Sequence, residues 1–129
     1  MCEKKKIEKL FKELISAKVY LFPLPRQVVI APIEKGVYVI CDPDGNVVHV
    51  GRTPRAKNGL RQRLKNHLAG QSSFVHTFLE GKKEILRKVY SYKYLVVKDS
   101  RERALLEAYA IGMLCPAHVG VGESLSNMK

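Results

Sequence analysis

Gly36-Val37-Tyr38-Val39-Ile40-Cys41, Asp42-Pro43-Asp44-Gly45-Asn46 and Val47-Val48-His49-Val50-Gly51 follow one another without a break. β-Branched and aromatic residues fill the two outer runs, and the centre carries a proline and an Asp-Gly pair, so the stretch predicts a β-hairpin. Downstream, Thr53-Pro54 and a basic loop lead into Leu60–Leu68, a helical run ended by Gly70. Ser72 or Ser73 is placed to cap a shorter helix through Leu79, with Gly81 as its break. Tyr90, Tyr92, Tyr94, Val96 and Val97 make Val89 to Lys98 a third strand. Asp99 or Ser100 then caps a helix running to about Leu114, before Pro116 forbids continuation.

Upstream, Ile7, Leu10, Phe11, Leu14 and Ile15 recur at helical spacing, so 4–17 reads as an amphipathic helix docking onto the domain. Pro23, Pro25 and Pro32 leave 18–35 as extended connections or a short edge strand. The fold class expected is α+β, with a small three-stranded, largely antiparallel sheet flanked by helices and an N-terminal helical extension. The division expected is 1–35 for that extension, 36–119 for the domain and 120–129 for a tail.

With 129 residues, 46% of them hydrophobic, the chain has the material for one domain. Twenty-three Lys and Arg against 12 Asp and Glu give a net charge of +11, which points to a polyanionic partner. Nucleic acid and an anionic membrane surface both qualify, but no apolar run approaches the roughly 18 residues a span requires. Neither an h-region nor a cleavage site marks the first 15 residues, so an intracellular protein is expected, cytoplasmic or nucleoid-associated. Cys2, Cys41 and Cys115 are read as reduced thiols.

Glu107 sits on a partly apolar helix face beside Arg103, Ala104, Ala110 and Ile111. A carboxylate there is either salt-bridged, to Arg103 or another base, or a ligand for a divalent cation. Arg52, Arg55, Lys57, Arg61, Arg63 and Lys65 concentrate positive charge just after the hairpin, where one face is suited to follow a phosphate backbone. His67 lies one helical turn beyond Arg63, and a guanidinium with an imidazole suits phosphate binding and proton transfer. Cys115-x-x-His118 lacks the second ligand pair that a structural zinc site needs.

Gly36-Val37-Tyr38, ten intervening residues, His49-Val50-Gly51, a helix carrying Arg63 and a later helix carrying Glu107 together resemble the GIY-YIG nuclease family. Gly51-Arg52-Thr53, Leu60 to His67, and Leu105-Leu106-Glu107 through Ile111 with Pro116 extend the likeness from residue 36 to about 119. The resemblance implies a divalent-metal-dependent endonuclease that hydrolyses a nucleic-acid backbone, DNA in the first instance, using one Mg2+ or Mn2+. By the same resemblance Glu107 holds the metal, Arg63 binds the phosphate, Tyr38 positions the water and Arg52 occupies the family's auxiliary basic position. Arg52, Arg55, Arg61, Lys65 and His67 are expected to contact the nucleic acid. The sequence departs from the family at His49, which stands in place of a tyrosine, and at Val119, which stands where an asparagine is usual. Imidazole, with an ordinary pKa of about 6.5 against about 10 for phenol, is ready to accept a proton at neutral pH. Two other readings stay open: a non-catalytic nucleic-acid-binding module that keeps the fold, and an assembly domain whose partner, or second copy, docks on helix 4–17.

Overall fold

The computed structural model describes residues 2–54, 59–87 and 89–119. In chain order the elements are α1 (Glu3–Ile15), β1 (Tyr20–Leu21), β2 (Gly36–Cys41), β3 (Val47–Arg52), α2 (Leu60–Leu68), β4 (Ser91–Val96) and α3 (Ser100–Leu114), with short helical turns at Phe74–Phe78 and Lys83–Leu86. The strands form one antiparallel sheet in the order β1-β4-β2-β3. Four strands replace the three expected, because Tyr20 and Leu21 pair with Tyr92 and Ser91 on the free edge of β4. That edge strand ends where the prolines of the following segment begin, since proline cannot donate to a ladder.

The hairpin turn is held by one side chain. Asp42 Oδ1 accepts from the backbone N–H groups of Asp44 and Asn46, both at 2.9 Å, and Gly45 takes φ +86°. Pairing is regular from Val37–Arg52 to Ile40–His49 and then slips, so that Cys41 faces Val47 and Val48 is the extra residue of a bulge.

Alternation along β2 builds two cores, one on each face of the sheet. Tyr38 and Ile40 point to the side covered by α2, with Leu60, Leu64, Phe74 and Tyr92; Val37 and Val39 point to the side covered by α1 and α3, with Phe11, Leu14, Leu106 and Ala110. The apolar stripe of α1, Ile7, Phe11 and Leu14, is buried in the second core. Glu3 and Lys6 on its flank pair with Arg101 and Glu102 of α3, and Phe11 meets Tyr109 edge-on at 5.2 Å. The apolar face read as a possible assembly surface is thus consumed inside this chain.

Helix ends follow the sequence signals. Asp99 accepts from the Glu102 N–H at 2.9 Å to start α3. Gly70, at φ +77°, closes α2 with N–H bonds from Gly70 to His67 and from Gln71 to Asn66, the paired arrangement of a left-handed helix stop. The expected helix from Ser72 to Leu79 is only a wide turn over Phe74–Phe78, in which Leu79 N–H reaches back five residues to Phe74 O. Glu80 and Gly81, at φ +54° and +80°, end it before a second turn forms. Among the described residues no helix is long and apolar enough to cross a membrane.

Candidate active site

Two strands and two helices deliver the residues that the family resemblance singled out: Tyr38 on β2, His49 and Arg52 on β3, Arg63 on α2 and Glu107 on α3. Tyr38 sits in the middle of β2 and is fully buried, because its face of the strand is the one covered by α2. Its ring crosses Gly51 of β3, directly opposite in the register, and a Cβ at Gly51 would collide with the Tyr38 hydroxyl and ring. The glycine is therefore required by the tyrosine's position, a side-chain constraint rather than a turn. His49 lies on this same face, two residues before Gly51 and opposite Ile40.

The buried face carries a hydrogen-bonded chain. Tyr38 Oη lies 2.7 Å from His67 Nε2, and His67 Nδ1 lies 2.7 Å from Ser72 Oγ, which also accepts the Val75 N–H at 3.2 Å. His67 is wholly buried. This corrects the expectation that it faces nucleic acid: helical spacing puts it on the side of Arg63, and that side turns toward the sheet. Ser72, read as a helix cap, anchors the end of this chain as well as the turn. Burial pushes the Tyr38 phenol up to about 12, Arg63 acting in the opposite direction, so the hydroxyl keeps its proton.

His49 is 5% exposed, with its ring stacked on Phe74 at 4.9 Å and its Nδ1 3.1 Å from His118 Nδ1. Desolvation first, then the neighbouring His118 and Arg63, pull its pKa down to about 3. His67 is driven well below the usual imidazole range by burial, with His49 and Arg63 adding to it. Both rings are neutral at pH 7, but His49 is a far weaker base than an exposed imidazole, which revises the simple argument from its ordinary pKa.

Among the described residues, two buried polar side-chain atoms have no hydrogen-bond partner in the protein: His49 Nε2 and Arg63 Nε. Orphaned buried polar groups are costly, about 1–3 kcal/mol each, and persist where a ligand completes them.

The charged part of the site lies on the α3 side but within electrostatic reach of Tyr38, whose phenol Glu107 helps to push up. Alternation turns Arg52 toward α3, where its Nε donates to Glu107 Oε1 at 3.0 Å. Of the partners open to Glu107 in sequence, Arg52 is the one it takes. Arg103 instead goes inward, 1% exposed, donating from Nε to Thr53 O at 3.2 Å and from Nη1 to Val97 O and Lys98 O at 3.1 and 2.8 Å. Sequence reasoning missed this role, and the only signal was an arginine on a face otherwise lined by apolar residues. By tying the ends of β3 and β4 to α3, Arg103 fixes the frame from which Arg52 reaches Glu107.

The other basic residues are dispersed. Arg61 is exposed and ties its Nε to Ala31 O at 2.9 Å. Lys65 is exposed and lines a groove with Arg26, Lys83 and Arg87. Arg55 and Lys57 lie outside the described residues, as does the tail at 120–129. Cys115 is exposed, and no three His, Cys, Asp or Glu among the described residues gather as metal ligands.

A four-stranded antiparallel sheet with a buried Tyr38–His67 pair on one face and an Arg52–Glu107 pair on the other is the frame against which known proteins compare. The family profile for the GIY-YIG catalytic domain matches residues 34–113. The GIY-YIG N-terminal endonuclease domain of UvrC from Thermotoga maritima, solved with magnesium as its catalytic divalent cation, aligns with a TM-score of 0.50 and 26% identity. That alignment covers 92% of this chain and 100% of that one. A point-mutant form of the same domain, also bound to its catalytic divalent cation, gives a TM-score of 0.51 and 26% identity over 92% of this chain and 99% of that one. UvrABC system protein C from Clostridium beijerinckii is 29% identical over 76% of this chain, and its counterpart from Clostridioides difficile 29% over 67%. The matches span only 14% and 13% of those two proteins. The chain belongs to the GIY-YIG catalytic domain family.

Proposed function

We propose that this chain is a divalent-metal-dependent endonuclease domain that hydrolyses phosphodiester bonds in DNA. The observation that carries the reading is the pair of unpartnered buried nitrogens, His49 Nε2 and Arg63 Nε, beside Tyr38 in a fold shared with a metal-bound endonuclease domain. An imidazole acceptor and a guanidinium donor are what a water nucleophile and a phosphate require.

Glu107 is the carboxylate that would hold the cation. One carboxylate fits magnesium or manganese that keeps most of its waters and shares the substrate's phosphate oxygens, and does not fit a fully dehydrated ion. When bound, the cation draws charge from the phosphate and steadies the departing oxygen. Arg52 holds Glu107 in place through Oε1. Arg63 directs its planar donors at the phosphate and offsets the charge that grows in the transition state. Tyr38, protonated and fixed by His67, orients the attacking water by hydrogen bonding. His49 accepts that water's proton at Nε2. Its depressed basicity recovers as the phosphodiester's negative charge enters beside it, because a nearby anion favours imidazolium. Arg61 and Lys65 hold flanking backbone by counterion release.

The test is cleavage of supercoiled plasmid and of a branched DNA with magnesium, with manganese and with chelator. Nicking that needs metal and disappears in Glu107→Gln, with DNA affinity kept, is the expected result; equal cutting by a clean preparation of the variant would remove Glu107 as ligand. The low basicity of His49 and the valine at 119 favour one second reading, a nucleic-acid-binding module without turnover. Salt-sensitive binding with no cleavage on any substrate supports that reading.

A further inference from the structure

After α3 the chain does not leave the domain. Cys115 takes a left-handed φ of 47°, Pro116 is buried, and the next residues lie along the free edge of β3. Ala117 N–H reaches Val47 O at 3.3 Å and His118 N–H reaches Val48 O at 2.9 Å, making a parallel bridge between His118 and His49. That edge pairing brings the two imidazoles together, with ring centroids 5.2 Å apart and Nδ1 to Nδ1 at 3.1 Å.

Two neutral imidazoles meeting through Nδ1 can bond only if one carries a proton there and the other a lone pair. If His118 were the donor, His49 would carry its proton on Nε2, placing a buried N–H with no acceptor near the Arg63 guanidinium, whose own Nε–H is also unpartnered. If His49 is the donor, its Nε2 keeps a bare lone pair in the field of that cation, which is electrostatically favourable. Half-buried His118 then carries its proton on Nε2.

We infer that His118 is a positioning residue: its Nδ1 accepts from His49 Nδ1–H and so holds His49 in the tautomer whose Nε2 is a proton acceptor facing the site. The catalytic consequence rests on the proposed role of His49; the tautomer itself does not. When Nε2 takes a proton, the bond from Nδ1–H to His118 persists and strengthens as the ring becomes charged.

The test reads the tautomer directly. The chain has four histidines, few enough for imidazole 15N–1H correlation spectra of the whole 129-residue chain to be assigned by single substitutions. His49 is expected to be protonated on Nδ1 and bare on Nε2 in the wild type. That preference is weakened in His118→Leu, which leaves only the backbone at 118 to accept from His49, and retained in His118→Asn, whose amide oxygen accepts the same bond. A His49 protonated on Nε2 in the wild type, or an unchanged tautomer in His118→Leu, overturns the inference. On a substrate the wild type cleaves, His118→Leu should lower kcat about 10- to 100-fold with KM within about twofold, and His118→Asn should recover most of the loss. Unchanged kcat in His118→Leu overturns the catalytic consequence. A wild type that binds but never cleaves defeats the proposed function, while the tautomer measurement still decides the pairing.

Discussion

The two faces of the sheet solve different problems with residues only a few positions apart. On the α2 face, Tyr38, His49 and His67 are buried and uncharged, fixed by short hydrogen bonds and by contact with Phe74. On the α3 face, Arg52 and Glu107 pair at the rim, their side chains 38% and 21% exposed. Desolvation keeps the first group neutral, whereas the second stays in contact with water and open to a hydrated cation. An ion pair this exposed contributes at most about 1 kcal/mol to folding, whereas each buried partner on the other face is structural as well as functional.

The contrast breaks most sharply at Glu107. Glu107→Gln should reduce metal-dependent cleavage by about 10³-fold, the scale of losing one transition-state charge stabiliser, while the melting temperature moves by less than about 5 °C. A collapse of the fold in that variant would put Glu107 among the structural groups. Arg103→Met should do the opposite, destabilising the domain by about 3 kcal/mol in urea titrations, because three backbone carbonyls lose their donor inside the core. If it melts like the wild type, the frame under Arg52 does not depend on that guanidinium.

Acid titration sharpens the comparison further. His49 and His67 have folded pKa values below the unfolded value of about 6.5, so between the two values the unfolded chain binds more protons. Stability is therefore full above about pH 6.5 and falls as pH drops, for His49 by up to about 1.4 kcal/mol per pH unit until about pH 3, with His67 acting in the same direction. His67→Gln should flatten this fall in denaturant midpoints measured from pH 7 to pH 4; an unchanged slope would show that His67 charges without cost. The smallest effect expected is at the surface, where Lys65→Gln should reduce the slope of log affinity against log salt by about one, measured by DNA-binding anisotropy. No change there would take α2 out of the DNA path.

Local signals decided the elements. The Asp42-to-Asn46 turn, the Asp99 cap and the Gly70 stop act through atoms a few residues away, so composition and spacing suffice to place the hairpin, α2 and α3. They failed for Ser72 to Leu79, where the turn winds wide and stops at two left-handed residues. They also left Tyr20 and Leu21 as nothing more than a possible edge strand, because a two-residue strand exists only through its pairing with β4.

The site divides in the same way. The candidates Tyr38, His49, Arg63 and Glu107 are legible through the family resemblance that their order and spacing carry, because each is fixed within its own strand or helix and those elements are predictable. Their partners are not. That Glu107 takes Arg52 while Arg103 turns inward, that His67 bonds to Tyr38 instead of facing solvent, and that His118 reaches His49 all depend on contacts between residues distant in sequence. Charge, hairpin, helix ends and candidate residues were thus properties of the sequence by itself. Which side of the sheet each side chain meets, and so whether it stays charged, was decided only by tertiary packing, since burial and its desolvation exist only once the two layers close on the sheet.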